Sequence, residues 1–367
     1  MEKPISRKYE IGLSFFEGIG PVRYRLLTSY FGTASHVFNA TNTDLQSCGL
    51  SDSFIEKFTS FRRKTNLDTI CRDIEKKNIQ VLTQEDDEYP ELLKEIPSAP
   101  FILYALGNVS YLQSDLPIGI VGTRRPTRYG IEVTRTFTEK LVHAGCTIIS
   151  GMAMGVDAVA HKTAMHEKGR TVAVLGCGVD ICYPAVNRQI YDRLKTDGLL
   201  ISEFPPGMRT SIGVFPSRNR IIAGLSRGVL VTEGTDKSGS LITAKNAAEY
   251  GRDVFAVPSP ITSPMSRASL ILIQQGAKAV GDADDILTEY SETSRHIAQK
   301  TKAASLESLS SDEKRIVGLI SKEGSVHVDL LLRNASLSSA EVLTIVSRLE
   351  MTGVVSEVEE GVYAIRI

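Results

Sequence analysis

Four stretches of this 367-residue chain hold most of the residues whose types and spacing could do chemistry. Each lies between an apolar run and a helix-length segment, and each combines glycine with cations, hydroxyls or amides: GIVGTRRPTRYG from Gly119, SGMAMGVDAVAH from Ser150, FPSRNRIIAGLS from Phe215 and TEGTDKSGSLITAK from Thr232. Glycine amides at helix starts and arginine side chains both bind anions, above all phosphate. The pattern predicts a phosphate-binding site assembled from four separate loops.

Each loop offers a different kind of contact. Gly122 permits a close backbone approach beside the positive charge of Arg124, Arg125 and Arg128. The second loop offers the amides around Gly151, Met152 and Gly155 to an anion. The third offers two arginines and an amide, with an aromatic ring that could stack on a base: Phe215, Arg218, Asn219 and Arg220. The fourth offers a lysine, hydroxyls and free amides: Lys237, Ser238, Gly239 and Ser240.

Each loop also has a purely structural interpretation. Phe215 could belong to the core, and Arg220 could pair with an acid such as Glu203. Ser238 or Ser240 could cap a helix, which is worth about 1 kcal/mol without any ligand. His161 lies four residues after Asp157, and we expect it to be a structural partner of that carboxylate rather than a catalyst.

No catalytic constellation accompanies these loops. The sequence has no GxGxxG, no complete P-loop, no GxSxG and no HExxH, so redox, ATPase, serine hydrolase and zinc protease chemistry lose their support. A hydrolase would depend on single carboxylates such as Glu203 or Glu233, each beside a strand end. We therefore predict a binding protein rather than an enzyme, with no cofactor and no metal.

Charge is uneven along the chain although the formal net charge is only −1. Residues 111–290 carry 20 basic and 17 acidic side chains, whereas the segments before and after are net negative. No Asp or Glu occurs between Glu203 and Glu233, where four arginines fall: Arg209, Arg218, Arg220 and Arg227. Such a patch favours a phosphate-bearing partner.

The elements that must position these loops alternate between strands and helices. Near-continuous apolar runs such as PIGIVG, TIISG and TVAVLG, separated by helices, predict an α/β fold with an extended Rossmann-like, doubly wound and mostly parallel sheet. Before it, GIGPVRYRLL predicts a helical domain of helix-hairpin-helix (SAM-like) type. After it, three helices and a hairpin around Gly361 predict a winged helix. The expected domains are 1–74, 75–290 and 309–367, with a polar linker at 291–308.

Composition adds three expectations. No apolar run reaches the length of a membrane helix and the first residues lack a secretory pattern, so we expect a soluble, cytoplasmic protein without a membrane partner. Five cysteines without a CxxC predict reduced thiols rather than disulfides or a zinc site. The acidic balance after residue 290 weakens the inference of duplex binding by the winged helix, and a protein-docking role is about as plausible.

In order and spacing, the four stretches closely resemble the DNA-processing protein A (DprA/Smf) family. The resemblance implies a homodimer formed through the Rossmann domain that binds single-stranded DNA, protects incoming DNA and helps to load the RecA recombinase during natural transformation. It also implies that the DNA pocket contains Gly122, Thr123, Arg124, Arg218, Asn219, Arg220 and the segment Lys237–Ser240. One later segment departs from the family pattern, because Ser259, Ala268 and Leu270 stand where members carry Gly, Gly and Asn. That departure puts a ligand contact from this loop in doubt.

Two other functions stay open at this stage. The same Rossmann variant resembles nucleotide phosphoribohydrolases of the LOG type, but Ser240 stands near the place of their glutamate. A transcription regulator that senses a nucleotide is the third possibility, and the acidic winged helix argues against it.

Overall fold

A computed structural model of the chain describes residues 7–210, 213–293, 297, 309–351 and 354–365, and for Phe215 it describes only the backbone. Most of the predicted linker, 291–308, therefore lies outside the described residues. Residues up to Glu289 form one compact unit, and those from Tyr290 onward form a second.

The first unit begins with six helices: α1 (Lys8–Ser14), α2 (Pro21–Phe31), α3 (Ala34–Asn39), α4 (Asn42–Ser47), α5 (Asp52–Lys64) and α6 (Leu67–Lys76). Hydroxyl and amide side chains at the N-caps fix several of these helix starts, at Thr33, Thr41, Ser51 and Asn66. The predicted hairpin Gly18–Gly20 leads into α2, which begins at Pro21. The helices pack on the sheet that follows, where the ring of Tyr24 stacks on Phe101 at 4.0 Å.

The rest of this unit is an α/β layer structure. Its strands are β1 (Gln80–Thr83), β2 (Ile102–Gly107), β3 (Pro117–Val121), β4 (Thr147–Ser150), β5 (Thr171–Val174), β6 (Leu199–Ser202), β7 (Gly228–Val231), β8 (Asp253–Ala256) and β9 (Lys278–Ala279). Its helices are α7 (Glu91–Lys94), α8 (Arg128–His143), α9 (Val156–His166), α10 (Arg188–Asp197), α11 (Val214–Leu225), α12 (Gly239–Glu249), α13 (Arg267–Gln274) and α14 (Ala283–Glu289).

Over the described residues these strands form one nine-stranded sheet in the order β1-β2-β6-β5-β4-β3-β7-β8-β9. The strands from β6 to β9 are parallel, and β1 and β2 add an antiparallel edge. Every residue of β3 to β7 is buried, as expected for strands covered on both faces. This confirms the predicted mostly parallel, doubly wound fold. The strand order reverses at β3, whose neighbours are β4 and β7, and such a switch point is where ligands bind in open α/β sheets.

The second unit comprises α15 (Ser311–Glu323), β10 (Ser325–His327), α16 (Val328–Asn334), α17 (Ser339–Met351), β11 (Val355–Glu359) and β12 (Val362–Ile365). Gly361, with φ +73°, makes the turn between β11 and β12. The three helices and the small antiparallel sheet surround a core of their own and confirm the predicted winged helix.

All five cysteines are free thiols. None of the helices described here combines the length and apolar character that crossing a bilayer requires.

Candidate functional site

The switch point of the sheet carries a cavity of about 340 Å³. It opens between the loop after β3, the start of α11 and the loop after β7. Nine of the residues predicted for the site line it: Gly122, Thr123, Arg124, Arg218, Asn219, Lys237, Ser238, Gly239 and Ser240. The second predicted loop also reaches the cavity, through Ala153 and Asp157, so all four predicted loops meet in one place.

The loop after β3 is held on both sides. Thr123 donates its backbone N–H to the carbonyl of Glu233 at 2.8 Å and accepts one from Val156 at 3.2 Å. A Cβ on Gly122 would lie only 2.6 Å from Val156 Cγ2 and 2.8 Å from the Glu233 carbonyl. Only glycine fits there, so the backbone reaches the cavity while Arg124 extends into solvent.

Glu233 is 1% exposed, and its side chain binds the end of the loop after β3. Its carboxylate accepts the backbone N–H of Thr127 at 2.9 Å and the Thr127 hydroxyl at 2.7 Å, at the N-cap of α8. Gly130 is packed directly against this carboxylate, with no room for a Cβ. Glu233 is absent from the residues that line the cavity. The carboxylate considered for hydrolysis is thus a structural acceptor that anchors the start of α8.

Arg218 is a buried cation beneath the cavity, 4% exposed. Its Nη1 donates to the carbonyl of Gly151 at 2.6 Å and to the carbonyl of Val174. Burial lowers its pKa, and the nearby carboxylate of Asp157 opposes that shift. The cation thus ties the ends of β4 and β5 to α11 while lining the cavity.

Asp157 serves the loop after β4 rather than His161. Its carboxylate accepts the backbone N–H groups of Gly151 at 3.1 Å and Ala153 at 3.3 Å, and burial raises its pKa. Contrary to the expected pair, His161 Nδ1 bonds the Thr171 hydroxyl at 2.8 Å, and among the described residues its Nε2 has no partner. The Gly151 amide is therefore already satisfied within the protein. Helical spacing alone does not determine the partner of Asp157, because the loop before Gly155 brings the amides of Gly151 and Ala153 within hydrogen-bond distance of its carboxylate.

Two other predicted residues, Met152 and Arg220, stand outside the cavity lining. Met152 is completely buried in the core beside β5 and β6. Arg220 forms a partly buried ion pair with Glu203, which is the structural alternative anticipated for it. The side chain of Phe215 lies outside the described residues.

The start of α12 combines capping with cavity lining. Ser238 is the N-cap, where its hydroxyl accepts the Ser240 N–H at 3.4 Å and lies 2.7 Å from the Ser240 hydroxyl. Asn219 Nδ2 donates to the Gly239 carbonyl at 3.2 Å and so ties α11 to this loop. The structural alternative, capping by Ser238, is therefore present, and Ser238 also lines the cavity.

A second, smaller cavity adjoins the first and shares three residues with it, Arg124, Ala153 and Arg218. Gly151, another predicted site residue, also lines it, whereas sequence reasoning missed Met154 and Tyr183, which are 43% and 41% exposed. An exposed aromatic ring on the loop after β5 was the available signal, but exposure cannot be read from residue type.

The segment that departs from the family pattern, around Ser259, Ala268 and Leu270, packs against the loop after β7. Gly234 donates its N–H to the Met265 carbonyl at 2.8 Å, and the N–H of Ala268 donates to the Gly234 carbonyl at 2.9 Å. Ala268 is completely buried, and neither it, Ser259 nor Leu270 lines the cavity.

The site is cationic and holds little that could react. Arg124, Arg218 and Lys237 line the cavity against one carboxylate, Asp157. Across the described residues, no cluster of three or more His, Cys, Asp or Glu side chains could hold a metal. Such a pocket is suited to phosphate and to polar contacts with a nucleotide.

Comparison with known proteins agrees with this chemistry. Residues 80–291 match the family model of DNA recombination-mediator protein A, and residues 300–361 match that of the DprA winged helix domain. Protein Smf of Synechocystis sp. is 42% identical over 283 residues, which are 76% of this chain and 71% of that protein.

Two solved structures are also similar. DNA processing protein A of Streptococcus pneumoniae matches with a TM-score of 0.69 and 33% identity, over 77% of this chain and 97% of that one. The Helicobacter pylori protein, described for its single-stranded DNA binding mode, matches with a TM-score of 0.53 and 29% identity, over 58% and 96%.

Proposed function

Because this chain belongs to the DNA recombination-mediator protein A family, we propose that it binds single-stranded DNA in the cavity at the switch point of its sheet. The observation that carries the proposal is the meeting of Arg124, Arg218 and Lys237 with the glycine loops at Gly122 and Gly239 in one cavity. A single strand is recognised by a cationic groove that follows its phosphates, with stacking surfaces for its bases.

The finer role is that of a recombination mediator. A protein that holds a single strand without cutting it can protect incoming DNA and present it to a RecA recombinase, as the family resemblance implies for natural transformation. We place this activity in the cytoplasm, where a recombinase would meet the strand.

We propose no enzymatic activity. Hydrolysis of a nucleotide of the LOG type needs a carboxylate at the bound sugar, and the geometry of Glu233 leaves both of its oxygens on Thr127. Turnover of nucleoside monophosphates that is abolished by Glu233→Gln would overturn this assignment.

Binding is tested by comparing two arginine variants. Arg124 lines the cavity, whereas Arg333 is exposed on α16 of the winged helix. We expect Arg124→Ala to weaken single-strand binding about tenfold and to reduce the salt slope by about 0.7, the value of one phosphate contact. Arg333→Ala is the matched control and leaves both unchanged. Equal losses in fluorescence anisotropy would contradict the placement of the site.

We further propose a homodimer formed through the face beside β8, β9 and α13. A groove of about 840 Å³ runs there, and its floor includes Phe255, Ile271 and Leu272. Ile271 on α13 is partly exposed, and the nearby β9 is a short edge strand of the sheet. A second copy of the chain can cover such a surface. Sedimentation velocity should give a dimer for the native chain and a monomer for Ile271→Glu; a native monomer at micromolar concentration would refute this interface.

A further inference from the structure

A groove of about 1170 Å³ separates the N-terminal helices from the loop after β6. One wall consists of the hairpin around Gly18 and Gly20 together with α5, and the other consists of residues 100–102 and 203–208. The proposed DNA cavity does not include any of these residues. The groove is therefore separate from the proposed DNA cavity.

The α5 wall presents aromatic rings and a cation on one helical face. Phe54, Lys57 and Phe61 all line the groove, at a spacing of three and four residues. Both rings are partly exposed and Lys57 is exposed. Arg23 lies over the ring of Phe54, with its guanidinium carbon 4.9 Å from the ring centre. Aromatic faces interleaved with cations suit the bases and phosphates of a single strand.

One of the two carboxylates that line the groove is neutralised within the protein. Glu203 is 11% exposed in its side chain and is paired with Arg220. Glu17 is the other carboxylate in the lining. Lys57 is the cation in the lining, and positive charge just outside it comes from Arg220, which pairs with Glu203, and from Arg23, which lies over Phe54.

Sheet order places this groove in line with the DNA cavity. The carboxyl ends of β7, β3, β4, β5 and β6 lie side by side at one edge of the sheet. The cavity is lined by the loops after the first three strands, and the groove is walled by the loop after β6. Strand spacing makes the whole row roughly 20 Å long, enough for several nucleotides.

The loop after β5 bridges the two sites as a fixed surface. Gly178 donates its N–H to the Met208 carbonyl at 2.9 Å, and Gly207 donates to Asp180 Oδ1 at 2.8 Å. Lys77 at the end of α6 binds the same Asp180 at 2.7 Å. The N-terminal helices, the β5 loop and the β6 loop are thus held together without a ligand.

Tyr183 stands on this bridge. Its side chain, 41% exposed, lines the smaller cavity together with Arg124 and Arg218. By the order of the strands, the loop that carries Tyr183 lies between the loops of the cavity and the loop after β6 that walls the groove.

We propose, on the basis of the proposed function, that a bound single strand leaves the cavity over Tyr183 and enters the groove beside α5, where Lys57 contacts a phosphate. Short strands occupy the cavity alone, and longer strands fill both sites. The inference assigns the N-terminal helices a direct part in DNA binding.

The test compares oligothymidylates of about six and about 24 nucleotides by fluorescence anisotropy at low salt. Lys57→Glu should leave the affinity for the short strand within twofold of the native value and weaken that for the long strand about fivefold. A long strand can bind in more positions than a short one, which raises its apparent affinity. This effect cancels when each variant is compared with the native chain at the same length. Lys168→Glu is the matched control: Lys168 is an exposed lysine just before β5, at the opposite edge of the sheet, and its variant should bind both lengths like the native chain.

Tyr183 provides an independent second arm. Tyr183→Ala should weaken long-strand binding about fivefold, and Tyr183→Phe should restore it, because stacking needs the ring and not the hydroxyl. Tyr30→Ala removes another exposed tyrosine, on α2 outside the groove lining, and should have no effect.

Each outcome separates this inference from the proposed function. If Lys57→Glu binds both lengths with native affinity, the groove does not hold the strand and belongs to another partner, such as a peptide. Equal weakening at both lengths would also overturn the continuous path, since it would indicate a nonspecific charge effect. If the native chain binds neither length, the proposed function fails and this inference fails with it.

Discussion

At the scale of single residues, buried charges shape the site more than they take part in it. Arg218, Asp157 and Glu233 each satisfy backbone groups of a neighbouring loop. Truncation of any one would leave buried partners unsatisfied, which costs about 1–3 kcal/mol in addition to any lost contact with DNA. Truncation of exposed Lys237 is therefore a more direct test of binding than truncation of these buried residues.

His161 should make the stability of the first unit depend on pH. Burial lowers its pKa to about 3, and Arg218 acts in the same direction, whereas an unfolded imidazole titrates near 6.5. Between these values the unfolded chain binds the extra proton, so stability falls as pH falls below about 6.5. We expect a loss of about 2 kcal/mol from this group between pH 7.5 and pH 5.

The measurement is urea unfolding of the native chain and of His161→Gln at both pH values. The variant lacks the titrating group, so its stability should change less with pH. The raised pKa of Asp157 has the opposite effect, because it favours the folded state as pH falls. Asp157 is present in both proteins, so the difference between them reports on His161. An identical pH dependence in both proteins would contradict the assignment.

Residue types predicted the lining of the cavity better than they predicted hydrogen-bond partners. The glycine, arginine and hydroxyl residues of three loops line it because parallel strands deliver their carboxyl ends to one edge. The partner of Asp157 was predicted wrongly, because helical spacing suggested His161 while the folded loop presented nearer amides. Tyr183 was missed because its exposure depends on how its loop packs.

At the scale of elements, the start of α8 requires a glycine at position 130. Gly130 lies against the Glu233 carboxylate that holds Thr127, and no Cβ fits between them. Gly130→Ala must displace Glu233, which releases the loop that carries Arg124. We expect a destabilisation of about 1–3 kcal/mol, as for other overpacked sites, together with weaker single-strand binding.

Gly318→Ala is the matched control for that prediction. Gly318 lies within α15, and a Cβ there meets nothing within 4 Å. Alanine should stabilise this helix by up to about 1 kcal/mol and leave DNA binding unchanged. Calorimetry and anisotropy on both variants give the comparison, and a native-like Gly130→Ala protein would show that the contact yields easily.

The predicted type of each large element was correct because its pattern was strong. Apolar runs bounded by turns predicted the parallel sheet, and Gly361 was correctly predicted to lie at the hairpin turn. The packing of the N-terminal helices was not predictable, because the contact of Tyr24 with Phe101 joins residues 77 positions apart.

At the scale of the whole molecule, cationic and acidic surfaces are divided between the two units. The cavity lies in the first unit, whereas the exposed side chains of α17 and of the β11–β12 turn in the second include Glu341, Glu350, Glu359 and Glu360. Arg348 on α17 is paired with Glu313 at 2.7 Å. A duplex-reading winged helix needs cations on this surface, so the main affinity for DNA should come from the first unit.

The central claim is a preference for single strands, and the most direct test is fluorescence anisotropy of the native chain with labelled single-stranded and duplex oligonucleotides of equal length at two salt concentrations. We expect single strands to bind at least about tenfold more tightly than duplex, with an affinity that falls as salt rises. Equal or tighter duplex binding would contradict the account. Absence of binding at low salt would contradict it as well, and would point to a mononucleotide as the ligand of the cavity.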